Sequence, residues 1–108
     1  MLTATDHSLA LARFGHAISD PTRVAILLAL RNAPAFPTEL AADLGVSKQV
    51  MSNQLACLRG CGLVEATPDG RRSSYRLANE SLAPAIDALL RITLVVEPDC
   101  CDGDSCQC

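Results

Sequence analysis

Apolar and polar positions follow one another along this chain with spacings that predict five helices and one β-hairpin. A first helix, marked by apolar residues between positions 9 and 14, ends between Gly15 and Ser19. The second helix has a well-defined start, because Asp20 supplies an N-cap oxygen and Pro21 fits the first helical position. Apolar residues at i, i+3 and i+4 carry this helix to about Asn32.

The next two helices are separated by a tight turn. A short helix over about residues 38–44 ends at Gly45, and Ser47 is a suitable N-cap for a helix that runs to about residue 59 or 60. Two helices joined by so short a connection are typical of a helix-turn-helix unit, whose second helix reads DNA. The helix that begins after Ser47 is therefore the candidate recognition helix.

The pattern changes to that of β-strands after Gly62. Residues 63–67 and 73–77 predict two strands around a Pro-Asp-Gly turn at residues 68–70. Arg71 and Arg72 follow this turn and make the hairpin tip basic.

A long amphipathic helix follows the hairpin. From residue 79 or 81, apolar residues recur at helical spacing as far as Leu94, and Pro84 falls in the first turn, where backbone N–H groups lack partners anyway. A stripe this apolar has to pack against other apolar side chains. These belong either to the same helix of a second subunit or to an ordinary intramolecular core. We expect residues 1–96 to form one domain, mainly α with a β-hairpin, and residues 97–108 to form a cysteine-rich acidic tail.

The formal net charge of −3 is unevenly distributed along the chain. Residues 97–108 hold four acidic residues and no basic one, whereas residues 47–76 hold five basic residues and two acidic ones. This local positive excess favours a phosphate backbone as partner, although solvated surface charge explains it equally well. The chain has no run of about 18 apolar residues and no signal-like N-terminus, which predicts a cytoplasmic protein with no membrane partner.

A helical projection of the candidate recognition helix separates two faces. Met51, Leu55 and Leu58 share the arc that should face the core. The other side offers hydrogen-bonding and cationic side chains suited to base edges and phosphates. With the hairpin tip included, the candidate DNA-binding residues are Ser47, Lys48, Gln49, Ser52, Asn53, Arg59, Arg71 and Arg72.

The six cysteines are the most informative chemical feature of the chain. Cys57 and Cys61 lie on the rim between the two helix faces, where helical spacing sets Cβ atoms about 5–6 Å apart, whereas a disulfide needs roughly 3.5–4.5 Å. The pair therefore favours a shared metal ion over a bridge, although each cysteine alone is also typical of a small buried apolar residue. Four more thiols lie in the tail, at Cys100, Cys101, Cys106 and Cys108.

Several ordered motifs between about residues 8 and 96 resemble the ArsR/SmtB metalloregulatory repressors. The motifs are Asp20-Pro21-Thr22-Arg23, Glu39-Leu40-Ala41, Leu44-Gly45-Val46-Ser47, the helical segment 50–58, Gly62-Leu63-Val64, Gly70-Arg71-Arg72 and Tyr75. The resemblance implies a winged helix-turn-helix homodimer that binds double-stranded operator DNA until a metal ion binds.

Within that family the likeness is closest to the cadmium- and lead-sensing branch. Cys57 and Cys61 match the cysteine pair of its recognition helix, and a cysteine of the C-terminal tail completes the site in that branch. Cys101 and Cys100 are the nearest candidates for this tail ligand. Gln54 departs from the family pattern, since many relatives have histidine there.

The donor chemistry narrows the effector without selecting one ion. Thiolates bind thiophilic ions, so Cd(II) or Pb(II) is favoured, As(III), Hg(II) and Zn(II) are compatible, and Mg(II) and Ca(II) are disfavoured. The same cysteines permit two other functions, a thiol-based redox-sensing repressor and a metal-buffering protein that does not contact DNA. An enzyme is not predicted, because no nucleophile, base and orienting group occur together.

Overall fold

Helices and strands follow one another in the order predicted from the sequence. The computed structural model describes the backbone of residues 4–93 and the side chains of residues 6–92, so the acidic tail and its four cysteines lie outside the described residues. The described elements are α1 (Ala4–Ala17), α2 (Pro21–Asn32), α3 (Pro37–Leu44), α4 (Lys48–Gly60), β1 (Val64–Asp69), β2 (Arg72–Leu77) and α5 (Leu82–Thr93).

Local hydrogen bonds explain where α2 and α4 begin. Asp20 Oδ2 accepts a hydrogen bond from the backbone N–H of Arg23 at 3.0 Å, and Ser47 Oγ accepts one from Val50 at 3.1 Å. Each bond satisfies one of the four N–H groups that the first turn of a helix leaves without partners. Both predicted N-caps are confirmed.

A glycine in the left-handed region ends each helix of the helix-turn-helix unit. Gly45 follows α3 with φ of 67°, and Gly62 follows the last turn of α4 with φ of 78°. At the second site the N–H of Gly62 donates to Arg59 O and the N–H of Leu63 donates to Leu58 O, both at 3.0 Å. This pattern is a Schellman cap, which satisfies the last carbonyls of α4 and turns the chain into β1.

The hairpin was predicted correctly, but its turn lies later in the chain than the sequence indicated. The expected turn residues Pro68 and Asp69 belong to β1 and pair with Ser73 and Arg72. The two strands are joined by a two-residue loop that begins at Gly70, whose φ is 65°. A positive φ at the first loop position is what the primed hairpin turns require, and this requirement sets the register.

Two further features were not predicted. α1 begins at Ala4, ahead of the first apolar residue of its stripe, although it ends at Ala17 as expected. Ala35, in the connection between α2 and α3, pairs with Tyr75 of β2 through two backbone hydrogen bonds of 3.0 and 2.8 Å. β2 therefore pairs with β1 on one side and with the α2–α3 connection on the other.

The hydrophobic core lies where α2, α3, α4 and the start of the hairpin meet. Its most completely buried large side chains are Ile26, Leu27, Leu40, Met51, Leu55, Leu58 and Val64. Ile86 of α5 is also buried against this cluster. Because α4 contributes three of these side chains, one side of α4 packs in the core and its other side is available for contacts.

Candidate DNA-binding face and thiol pair

The exposed face of α4 carries polar and cationic side chains. Met51, Leu55 and Leu58 are at most 1% exposed, as the helical projection predicted. On the opposite side the exposed residues are Lys48, Gln49, Ser52, Asn53, Ala56 and Arg59. Gln49 Nε2 donates to Asn53 Oδ1 at 3.0 Å, so two amide groups of a kind that reads adenine edges are already oriented relative to each other.

The two arginines at the hairpin tip have different surroundings. Both side chains are exposed, but the guanidinium of Arg72 lies 3.5 Å from the centroid of the Phe36 ring and contacts Thr38 Oγ1 at 3.5 Å. Arg72 thus connects the hairpin to the start of α3 through a cation–π contact. Arg71 stands at the two-residue loop and is the better placed of the two for a phosphate.

Cys57 and Cys61 lie on the last turn of α4 and at its C-cap. The N–H of Cys61 donates to Cys57 O at 3.0 Å, so the helical i, i+4 relation holds between the two residues. Both thiols are free and half-buried, and Cys61 packs against the hydrophobic core. A helix that keeps these residues on one face favours shared ligation over a disulfide between them.

The thiol pair places two sulfur atoms on one edge of α4. Among residues 6–92 no group of three or more His, Cys, Asp or Glu side chains is arranged to hold a metal ion. Two adjacent thiolates are nevertheless the donor type that thiophilic ions select. A metal ion held by this pair would need its further ligands from outside the described residues or from a second copy of the chain.

An interhelical cluster of polar side chains was not anticipated from the sequence. Arg23 donates from Nη1 to Gln54 Oε1 at 3.0 Å, from Nε to Ala17 O at 2.8 Å and from Nη2 to His16 O at 2.9 Å. Gln54 Nε2 in turn donates to Asp20 Oδ2 at 3.4 Å. We call the side chains of Asp20, Arg23 and Gln54 the interhelical clip.

A sequence signal for this clip exists in retrospect. Arg23 occupies the third position of α2, where the helix dipole disfavours a cation. A cation at that position therefore needs compensating acceptors, which here are the last carbonyls of α1 and the amide oxygen of Gln54.

An apolar groove lies between α1, α2 and α5. It encloses about 200 Å³, and its lining is formed by Phe14, Ile18, Val24, Leu27, Leu28, Ile86, Leu89 and Leu90. Leu9 and Leu11 of α1 and Ile92 of α5 are more than half exposed. Among the described helices none is long and apolar enough to cross a membrane.

Comparisons with known proteins agree with this architecture. The family described as bacterial regulatory proteins of the arsR family matches residues 20–66. The HTH-type transcriptional regulator CmtR of Mycobacterium tuberculosis is 48% identical over 99 residues, which cover 92% of this chain and 84% of that protein. The chain belongs to the arsR family of bacterial regulatory proteins.

Solved structures of similar proteins share the fold. One is the NMR structure of the cadmium metal-sensor CMTR from Mycobacterium tuberculosis, whose sequence is 49% identical to this chain. The alignment covers 82% of this chain and 92% of CMTR, and the TM-score is 0.66. Another is the homodimeric winged helix-turn-helix DNA-binding domain Mb0332 of Mycobacterium bovis, which is 29% identical in sequence. The alignment covers 86% of this chain and 87% of the Mb0332 domain, with a TM-score of 0.74. The predicted winged helix-turn-helix fold and family are therefore confirmed, and the hairpin β1–β2 is the wing.

Proposed function

We propose that this arsR-family regulator is a repressor that binds operator DNA as a homodimer and is released when a thiophilic metal ion binds. The observation that carries the proposal is the position of the thiol pair. Cys57 and Cys61 lie on the same helix as the exposed polar face but on its half-buried rim. Ligation can therefore change the orientation of α4 without occupying the side chains that face DNA.

The dimer is proposed to form through the apolar groove and α5. This groove and the exposed leucine and isoleucine side chains around it are stabilised by burial against a second copy of the same surface, because apolar burial contributes about 25 cal/mol per Å². A two-fold dimer then presents two copies of α4 to successive major grooves, roughly 34 Å apart. The homodimeric state of the Mb0332 domain supports this arrangement.

On DNA, the exposed residues of α4 are proposed to face base edges while the cations hold phosphates. Gln49, Ser52 and Asn53 supply hydrogen-bonding groups, and Ser47 and Lys48 lie at the N-terminal end of α4, which favours phosphate. Arg59 at the other end of α4 and the wing residues Arg71 and Arg72 complete the candidate set. A regulator working this way acts on DNA in the cytoplasm.

The metal is proposed to be bound by Cys57, Cys61 and one tail thiolate, with Cys101 or Cys100 as that third ligand. A soft ion bound there would supply strong bonds to thiolate sulfur, which favours Cd(II) or Pb(II) over oxygen-seeking ions. The 49% identity of this chain with the cadmium metal-sensor CMTR supports a cadmium-like effector. Cys57 and Cys61 would hold the ion at the end of α4, and the tail thiolate would supply a further bond to sulfur.

Release is then a shift between two dimer geometries. In one, both copies of α4 fit their grooves; in the other, the ligated rim of α4 holds the helices in a different relative orientation. To move such an equilibrium from 1:99 to 99:1, the effector has to favour one geometry by about 5.5 kcal/mol. Only thiolate bonds that form in one geometry and not in the other contribute to this preference.

The test is an anaerobic metal titration followed by operator binding for the intact protein and for three cysteine variants. Cd(II) should produce a thiolate charge-transfer absorbance and release the operator in the wild-type protein. Cys57→Ser and Cys61→Ser should abolish both effects, and Cys101→Ser should weaken them. Cys106→Ser is the matched control, since it removes a tail thiol that is not assigned as a ligand. Unchanged metal-induced release in Cys57→Ser would falsify the proposed site.

A further inference from the structure

The interhelical clip joins the recognition helix to the helices behind it by directional contacts. Gln54 is half-buried on α4, and its amide bonds to Arg23 through the oxygen and to Asp20 through the nitrogen. Apolar packing brings helices together without a preferred direction, whereas hydrogen bonds require specific donor and acceptor positions. The clip therefore restricts the rotation of α4 against α2 in a way that the core alone does not.

The same guanidinium extends the connection to α1. Arg23 donates to the carbonyls of His16 and Ala17, which lie in the last turn of α1. α1 and α2 also line the apolar groove through Phe14, Ile18 and Val24. One side chain therefore links the surface proposed for the dimer contact to the helix proposed to read DNA.

The clip and the thiol pair lie along one stripe of α4. At 100° per residue, Cys57 is displaced from Gln54 by about 60° around the helix and Cys61 by about 20°. Gln54 is thus one turn before Cys57 on the same edge. A reorientation of α4 caused by ligation at the thiol pair acts directly on the hydrogen bonds of Gln54.

We propose that Gln54 is a positioning residue for regulation, and that the clip holds α4 in its operator-competent orientation. When Cys57 and Cys61 bind metal, α4 leaves Arg23 and Asp20 and adopts the orientation that does not fit the operator. This inference rests on the proposed function and assigns the restraint that metal binding has to overcome. It predicts that weakening the clip favours the metal-bound state even though Gln54 does not bind the metal.

Weakening the clip should change metal affinity and operator affinity in a linked way. The combined change is the same whether the wild-type protein lies mostly in the clipped or the unclipped state. If DNA selects the clipped protein and metal selects the unclipped one, weakening the clip by a given factor either tightens metal binding, weakens metal-free operator binding, or does both. The factor by which metal binding tightens, multiplied by the factor by which metal-free operator binding weakens, equals the factor by which the clip was weakened. For loss of a hydrogen bond to a charged group, this product should be at least about tenfold per protomer.

The experiment uses the full chain with Gln54→Met, which keeps the length of the side chain and removes both polar contacts. Cd(II) affinity is measured by competition with a chelator, using the thiolate charge-transfer absorbance, and metal-free operator affinity is measured by fluorescence anisotropy. Arg23→Lys, which loses the planar fork of the guanidinium, should move both quantities in the same direction and combine non-additively with Gln54→Met. Ser19→Ala is the matched control, because Ser19 Oγ accepts from Arg23 at 3.4 Å and does not belong to the contact with α4. In this variant the product of the two affinity changes should stay near one.

The outcomes separate this inference from the proposed function. Tighter Cd(II) binding in Gln54→Met supports the clip, because damage to the fold weakens a site and does not strengthen it. A product near one, or weaker binding of both Cd(II) and operator, overturns the clip while leaving the metal-responsive repressor intact. Wild-type protein that binds Cd(II) and keeps its operator overturns the proposed function and the clip with it.

Discussion

The glycine that ends α4 allows a test of backbone strain with almost no steric contribution. Gly62 has φ of 78°, whereas Gly60 lies within the helix, and a Cβ added at either position meets no heavy atom within 4 Å. Gly62→Ala therefore costs mainly the left-handed conformation of an L-residue, about 1–2 kcal/mol. Gly60→Ala should instead stabilise the protein by up to about 1 kcal/mol, since alanine is the better helix former.

Urea unfolding followed by far-ultraviolet circular dichroism measures both changes. The protein concentration has to be the same for all variants, because the apparent stability of a dimer depends on it. The two variants should differ from each other by roughly 1–3 kcal/mol with opposite signs relative to wild type. Equal stability of Gly62→Ala and wild-type protein, or a shift of both variants in one direction, would refute the assignment of Gly62 as a left-handed cap that favours glycine.

Two other predictions concern the wing and the core. Arg71→Ala should weaken operator binding and reduce the slope of log affinity against log salt by about one, as expected for the loss of one phosphate contact, with little change in thermal stability. Arg72→Ala should in addition lower the free energy of unfolding by about 0.5–1 kcal/mol, because the cation–π contact with Phe36 is lost, so equal melting temperatures for the two variants would contradict the difference between them. Leu58→Ala removes a fully buried side chain of α4 and should destabilise the protein by about 2–5 kcal/mol in chemical denaturation, whereas a loss well under 1 kcal/mol would contradict its place in the core.

Features of the fold that depend on neighbouring residues were predictable from the sequence. The N-caps Asp20 and Ser47 act on N–H groups three residues away, and the glycine after each helix acts within its own turn. The hairpin turn was misplaced because Pro-Asp-Gly is itself a good turn sequence, while the register depends on pairing along both strands. The pairing of Ala35 with Tyr75 has no local signal, since the two residues are 40 positions apart.

The candidate site also combines features that neighbouring residues predict with features that depend on distant residues. The exposed face of α4 and the shared edge of Cys57 and Cys61 follow from helical periodicity alone. The clip does not, because Arg23 and Gln54 are 31 residues apart and meet only when α2 packs on α4. The contact of Arg72 with Phe36 was not predictable for the same reason, since Phe36 belongs to a distant segment.

The attachment of the wing has a consequence for the footprint of this protein on DNA. The Ala35–Tyr75 backbone pairing and the contact of Arg72 with Phe36 fasten β2 to the segment that begins α3. A wing held in this way is carried along with the helix-turn-helix unit to which it is attached. Protection of the groove and of the flanking phosphates should therefore disappear at the same effector concentration, so that cleavage patterns of operator DNA show a single transition with no intermediate in which only the flanks are exposed.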